Sequence, residues 1–254
     1  MKQEDYIRIL PDADTAVLLI HGICGAPVHF LKPVPLVALI PEDWSVYNVL
    51  LDGHGGSAED FGRSSMKKWR EQVFRIFEEL CNTHKQVIIA GHSMGTLFAM
   101  QMAAQRPDKV PFLFLIASPM RPWPRWTGVK NLMKMTFGKL RADVPMEHAL
   151  NVASGITVTK KIWKYIPWAP RFIELFAEVY RTEKILPQLR VPCVAWQSGK
   201  DEMVANRSSK ILEKVDSMEV RVLADSTHFY YAPADLETVL ADFRERIDKI
   251  KKQD

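Results

Sequence analysis

Two hydrophobic periods alternate along the chain, and their order predicts the architecture. Short, β-branched, nearly continuous apolar runs occur at "TAVLLIHG" (Thr15 to Gly22), "WSVYNVLLDGHGGS" from Trp44, "KQVIIAGHS" and "VPFLFLIASP" (Val110 to Pro119). Runs of this length bounded by Gly or Pro predict strands buried on both faces. Between them the period lengthens. From Ser65 to His84, Trp69, Val73, Ile76, Phe77 and Leu80 recur at helical spacing, and "MGTLFAMQMAAQRPDK" continues directly from the third run. A shorter, Pro-interrupted helical segment is predicted around Phe30 to Leu39. The pattern returns near the C-terminus with "VPCVAWQSGKDEMV" (Val191 to Val204), a helix from Asn206 to Val215, the strand "EVRVLA" and an amphipathic helix from Ala234 to about Lys251. Strand and helix in strict alternation predict an α/β fold, a mostly parallel central sheet with helices on both faces.

The alternation stops between Met120 and Pro187, where no strand pattern occurs and aromatic, Met and basic residues mix at helical spacing. The segment 120–187 is expected to be a helical insertion, and 1–119 with 188–254 the core domain it interrupts. Charge sharpens this division. The whole chain carries a formal +4, too little to imply nucleic acid. The insertion holds twelve Lys or Arg against five Asp or Glu, interleaved with Trp123, Trp126, Phe137, Trp163, Tyr165, Trp168, Phe172 and Phe176. A basic helical cap with an aromatic inner face suits an apolar pocket beneath and a cationic rim toward a lipid surface, although packing the cap onto the body accounts for many of the same residues.

The third run ends unusually, in Gly-His-Ser-Met-Gly before the helix begins. A strand that passes through G-x-S-x-G into a helix forces the serine into a tight turn with its hydroxyl raised off the sheet edge. Gly91 and Gly95 are the flanking positions, Ser93 the candidate nucleophile, and the Met94 amide opens the helix where N–H groups are free to meet an anion. A serine hydroxyl needs a base, and the base an orienting carboxylate. Asp201 follows one late strand and His228 follows the last, giving the order Ser, acid, His. Asp225 and Glu202 are rival acids; Asp225, three residues from His228, suits turn support, and Glu202 lies one step past the expected loop position. An oxyanion needs a second donor from the loop after the first core strand, "HGICGAP". Ile23 is that candidate, with His21, Gly22 and Gly25 shaping the turn and His21 bonding loop carbonyls.

Together "LLIHGICG", "LDGHGGSAEDF", "IAGHSMG", "SGKDEMV" and "STHF" resemble the α/β-hydrolase family, in its single-domain carboxylesterase and monoacylglycerol-lipase-like branch. The resemblance implies a triad of Ser93, Asp201 and His228, a variable lid at 120–187, and cleavage of short- to medium-chain carboxylic esters with apolar acyl groups, monoacylglycerols among them; acyl transfer, amide hydrolysis or carbon–carbon bond cleavage by the same triad, and a ligand-binding receptor on the same scaffold, are the alternatives that fold and triad leave open. It departs from the pattern at Ile23 and Cys24, where relatives often carry an aromatic and a small polar residue, and in its short N-terminal segment. No cofactor or metal is expected, since no ligand spacing occurs and the mechanism needs none. Cys24, Cys81 and Cys193 are odd in number and lack C-x-x-C spacing, which favours reduced thiols and a cytoplasmic location. No run reaches the roughly 18 apolar residues of a membrane span, and the acidic start does not read as a signal peptide. The pattern does not specify an oligomeric state.

Overall fold

The computed structural model describes residues 3–252. Seven strands, β1 (Tyr6–Arg8), β2 (Thr15–Ile20), β3 (Ser45–Val49), β4 (Gln86–His92), β5 (Leu113–Ile116), β6 (Cys193–Ser198) and β7 (Met218–Leu223), form one sheet in the order β1-β3-β2-β4-β5-β6-β7. All neighbours are parallel except β1, which pairs antiparallel with β3 at the edge. The mostly parallel α/β sheet expected from the sequence is therefore present.

The period of two in each strand divides the core. Ala16, Leu18 and Ile20 of β2 face one apolar layer, with Val87 and Ile89 of β4. That layer is closed by α2 (Met66–Thr83) and α3 (Met94–Gln105). Val17 and Leu19 face the other layer, with Ile88, Phe114 and Val194, under Phe243 and Ile247 of α8 (Pro233–Lys251). Every residue of β2, β5 and β6 is buried, as a sheet covered on both sides requires.

Short elements depart from the sequence reading for local reasons. The segment predicted around Phe30 to Leu39 is two 3₁₀ turns, Pro27–Phe30 and Leu36–Leu39, because Pro33 and Pro35 cannot donate to a continuous helix. The helix expected over Asn206 to Val215 is a 3₁₀ turn followed by the one-turn α7 (Ser209–Leu212). A small helix, α1 (Ala58–Arg63), follows the Gly-rich loop and opens on a capping box in which Ser57 and Asp60 satisfy each other's backbone N–H.

Residues 120–187 contain α4 (Trp126–Thr136), α5 (Pro145–Ala153), a 3₁₀ segment Ile162–Trp168 and α6 (Ala169–Ile185). Helix α6 also covers the sheet: Leu175 and Val179 join the layer under α2 and α3, and the buried Gln101 donates to Glu178 and Thr182. Arg70 of α2 pairs with the same Glu178. Trp168 donates its indole N–H to the Ala58 carbonyl and packs on Phe61, fixing the segment against α1.

Candidate active site

The strand order reverses at β2. The chain leaves β2 for β3 on one side and reaches β4 on the other, so the loops that follow β2 and β4 diverge from adjacent carboxyl ends. Such a switch point opens a crevice where a ligand can sit. The two loops are the candidate oxyanion loop and the serine turn. They are so close that a β-carbon on Gly22 would lie 2.7 Å from that of Ser93.

Ser93 has φ 51° and ψ −124°, a strained conformation for a residue with a side chain. Its flanking glycines are steric requirements. A β-carbon at Gly91 would press on the Gly95 backbone at 2.8 Å, and one at Gly95 would meet the Ile20 carbonyl at 2.1 Å. The turn is pinned by Ser93 N–H donating to the Ile116 carbonyl at 2.8 Å.

Ser93 Oγ lies 3.0 Å from His228 Nε2, and His228 Nδ1 lies 2.9 Å from Asp201 Oδ2. All three side chains are buried. Asp201 turns its other oxygen to the Met203 and Val204 N–H groups, each at 2.7 Å, which holds the carboxylate in place beside the imidazole. Burial disfavours a charged His228, but the Asp201 charge and hydrogen bond, with Glu202 behind, outweigh it and raise the imidazole above its ordinary 6.5. The arrangement can accept a proton from the serine hydroxyl and hold it against a carboxylate.

The structure separates the rival acids. Asp225 is exposed and pairs with Lys200. Glu202 is buried, and its Oε2 accepts the backbone N–H of His228 at 2.9 Å. The His228 carbonyl in turn accepts the Nε2–H of His92 at 3.1 Å, and His29 stacks on that ring at 3.9 Å. Neither His92 nor His29 carries a role in the sequence reading; the position of His92 beside the serine was the available signal.

Two further histidines shape the oxyanion loop. His21 donates through Nδ1 to the Gly22 carbonyl at 2.8 Å, as expected from the sequence, while its Nε2 accepts the Leu51 N–H. Gly25 N–H donates to the same carbonyl at 3.0 Å. Because the Gly22–Ile23 peptide is planar and trans, fixing that oxygen fixes the opposed Ile23 N–H. His54 accepts the Cys24 N–H at 3.2 Å, holding Cys24 at φ 59°. Burial lowers His21 to about 4 despite its bond to Gly22, and pushes the Cys24 thiol up to about 12, so both are uncharged near neutral pH.

Residues 120–187 are bonded to the oxyanion loop, to the Gly-rich loop after β3 and to the loop that carries Asp201. Gly155 N–H donates to the Cys24 carbonyl at 2.9 Å, and Thr157 N–H to the Gly56 carbonyl at 2.8 Å. At the other end, Trp123 and Arg125 N–H groups donate to the Met203 and Glu202 carbonyls, and Pro122 bridges Val204 antiparallel.

A cavity of about 430 Å³ opens over Ser93 and His228. Ile23 and Cys24 form its floor beside them; Val129, Leu132 and Met135 of α4, Phe172 and Leu175 of α6, and Met203 form apolar walls. Among the described residues no group of His, Cys, Asp and Glu is arranged to hold a metal ion.

The sequence model of the family described as "Serine aminopeptidase, S33" matches residues 11–230. The chain is 32% identical over 150 residues to a pimeloyl-[acyl-carrier protein] methyl ester esterase of Neisseria meningitidis, covering 56% of this chain and 54% of that protein. It is 30% identical over 92 residues to a thermostable monoacylglycerol lipase of Bacillus sp., covering 36% of each. The chain spans about half the length, or less, of the curated relatives it matches. Among solved structures it resembles one from work on the metagenome-derived lipolytic enzymes LipS and LipT, with a TM-score of 0.72, 19% identity, and coverage of 96% of this chain and 98% of that one. A Paleococcus ferrophilus monoacylglycerol lipase superposes with a TM-score of 0.62 at 16% identity, covering 97% and 99%. At these identities the structural likeness concerns the fold.

Proposed function

The chain belongs to the serine aminopeptidase S33 family of α/β hydrolases, and from that premise we propose that it is a serine hydrolase that cleaves carboxylic esters with apolar acyl groups through an acyl-enzyme. The observation that carries this reading is the buried Ser93–His228–Asp201 relay opening onto an apolar cavity.

Ser93 Oγ attacks the ester carbonyl carbon while His228 Nε2 takes its proton, and Asp201 balances the imidazolium. The charge that develops on the carbonyl oxygen meets the Ile23 and Met94 N–H groups. Collapse of the tetrahedral species expels the alkoxide, which takes the proton from His228 and leaves as the alcohol. Water then enters, gives a proton to His228 and attacks the acyl–Ser93 carbonyl. The second collapse releases the acid and returns the proton to Ser93. Residues 120–187 act as the lid over this reaction, supplying the α4 and α6 walls that receive the acyl chain.

An aminopeptidase reaction suits the site less well. A substrate ammonium group would lose its hydration against Leu132, Leu175 and Met203 with no carboxylate on the cavity wall to pair with. Monoacylglycerols and other medium-chain esters fit the cavity size, which lies in the usual range for small-molecule sites. The three unpaired thiols suit a reducing, cytoplasmic setting.

Hydrolysis of a p-nitrophenyl ester series from acetate to palmitate tests the reading, with mass mapping of the residue labelled by a fluorophosphonate. Turnover peaking at one chain length and lost with Ser93→Ala is expected. Labelling of Ser93 without turnover of any ester would keep the nucleophile and reject the substrate class.

A further inference from the structure

We propose that the outer face of residues 120–187 docks onto an anionic lipid surface. Of the sixteen large apolar side chains that are exposed among the described residues, twelve fall between 123 and 180. This concentration distinguishes them from the single apolar groups that any surface carries. Trp126 is 74% exposed, Ile166 72% and Trp123, with the Arg207 guanidinium over its ring, 63%, a degree of exposure that leaves most of each side chain open to solvent.

Their arrangement is that of an interfacial helix. Along α4 and the turn that follows it, Trp126, Met133 and Phe137 share an open groove of about 470 Å³ with Lys130, Lys134 and Lys139. Aromatic and aliphatic groups alternating with lysine suit the headgroup boundary, where rings enter the acyl region and ammonium groups meet phosphate. The 3₁₀ segment repeats the composition: exposed Ile162, Trp163 and Ile166 stand beside Lys160, Lys161 and Lys164.

Charge selects the occupant. Glu147, Glu174, Glu178 and Glu183 are each ion-paired, with Lys134, Arg171, Arg70 and Arg121 respectively, leaving Asp143 as the remaining carboxylate of the segment. Lys130, Lys139, Lys160 and Lys161 have no carboxylate partner among the described residues. A second copy docking on this face by a two-fold axis would set these cations against their own duplicates. An anionic lipid layer would neutralise them while burying the rings.

The face also leads to the cavity. Phe172 and Phe176 are exposed and line the cavity over Ser93, so an apolar chain leaving a lipid layer there passes along their rings toward the serine. This last point rests on the ester-hydrolase reading; the binding itself does not.

The test uses the full chain carrying Ser93→Ala, sedimented with vesicles of phosphatidylcholine alone or with about a third phosphatidylglycerol. Preferential binding to the anionic vesicles, weakened by salt, is expected. Lys130→Glu with Lys139→Glu should lower the partition roughly twentyfold, and Trp126→Ala with Phe137→Ala comparably. In the otherwise wild-type chain, these four positions should leave turnover of a soluble short-chain ester unchanged, which checks folding. Equal binding to both vesicle types, or none to either, would overturn the proposal. So would a stable dimer in solution dispersed by Trp126→Ala. Binding without turnover of any ester would leave the docking surface standing and reject the hydrolase reading instead.

Discussion

The Glu202 carboxylate holds the backbone of His228, accepting its N–H at 2.9 Å, while the neighbouring Asp201 holds the imidazole at 2.9 Å. Two consecutive carboxylates thus grip one histidine at two points, and both charges favour its protonated form. Glu202→Gln keeps an acceptor oxygen but removes one charge. His228 must be neutral to take the serine proton, so the variant should move the acidic limb of kcat/KM to lower pH. Glu202→Ala, which also frees the backbone, should lower kcat as well. A pH–rate profile unmoved by Glu202→Gln would reduce Glu202 to a packing residue.

Ser93 stores backbone strain at φ 51°. Ser93→Gly should abolish turnover and, by relieving part of that strain, raise stability by about 1 kcal/mol, or about 2–4 °C in Tm for a chain of this size. Thermal unfolding read beside activity checks both halves. A lower Tm would mean that the serine side chain contributes more by packing than its conformation costs.

A β-carbon on Gly155 would lie 1.9 Å from the Gly25 carbonyl. Gly155→Ala therefore has to displace the loop that carries Ile23. The expected result is a fall in kcat of about 10²-fold with little change in KM, the signature of a lost transition-state donor. Steady-state kinetics on one ester suffices; a change in KM alone would detach Gly155 from the oxyanion loop.

Four histidines besides His228 are held neutral. Burial lowers His21 to about 4 and, with the neighbouring His228 and His21, His29 to about 3; burial also takes His54 and His92 well below 6.5. A lowered imidazole leaves stability intact above pH 6.5 and erodes it as pH falls from there toward the folded value, because the unfolded chain takes up protons the fold excludes. His228 has the opposite sign: its contribution is full below pH 6.5 and fades as pH rises past its raised value. The four outweigh the one, so Tm should decline from pH 6.5 toward 4. His29→Phe should flatten that decline, since His29 Nε2 has no hydrogen-bond partner to lose.

Leu132 stands on the cavity wall formed by α4. Leu132→Trp should cut turnover of long acyl esters by tenfold or more, on the order of the cost of one or two displaced methylenes, while acetate and butyrate esters retain theirs. The p-nitrophenyl series reads this directly, and a uniform loss across the series would place the acyl chain elsewhere.

Much of this was legible in the chain because burial on both sides leaves a strong local trace. β2, β4, β5 and β6 are apolar runs, and Ser93, Asp201 and His228 sit where those runs or their followers end. What escaped was made by partners far away. β1 is three residues long, and its strand character comes from pairing with β3. Helix α1 is the local exception: its capping pair, Ser57 and Asp60, stands in the sequence beside a run of glycines that reads as loop. Glu202 reads in sequence only as a rival acid, and His54 and Gly155 look ordinary; their contacts with His228, Cys24 and Gly25 arise only when distant loops converge.

The bonds from Gly155 to Cys24 and from Arg125 to Glu202 seat residues 120–187 on the loops that carry Ile23 and Asp201. Both join positions remote in sequence, and closing such loops is slow beside the growth of helices and the collapse of local pairs. In a refolding experiment the tryptophan signal of the buried Trp69 and Trp196 should therefore recover before ester turnover does. A cap transplanted from another chain would have to reproduce two backbone seams, at 121–125 and at 154–157, before it could cover a working serine.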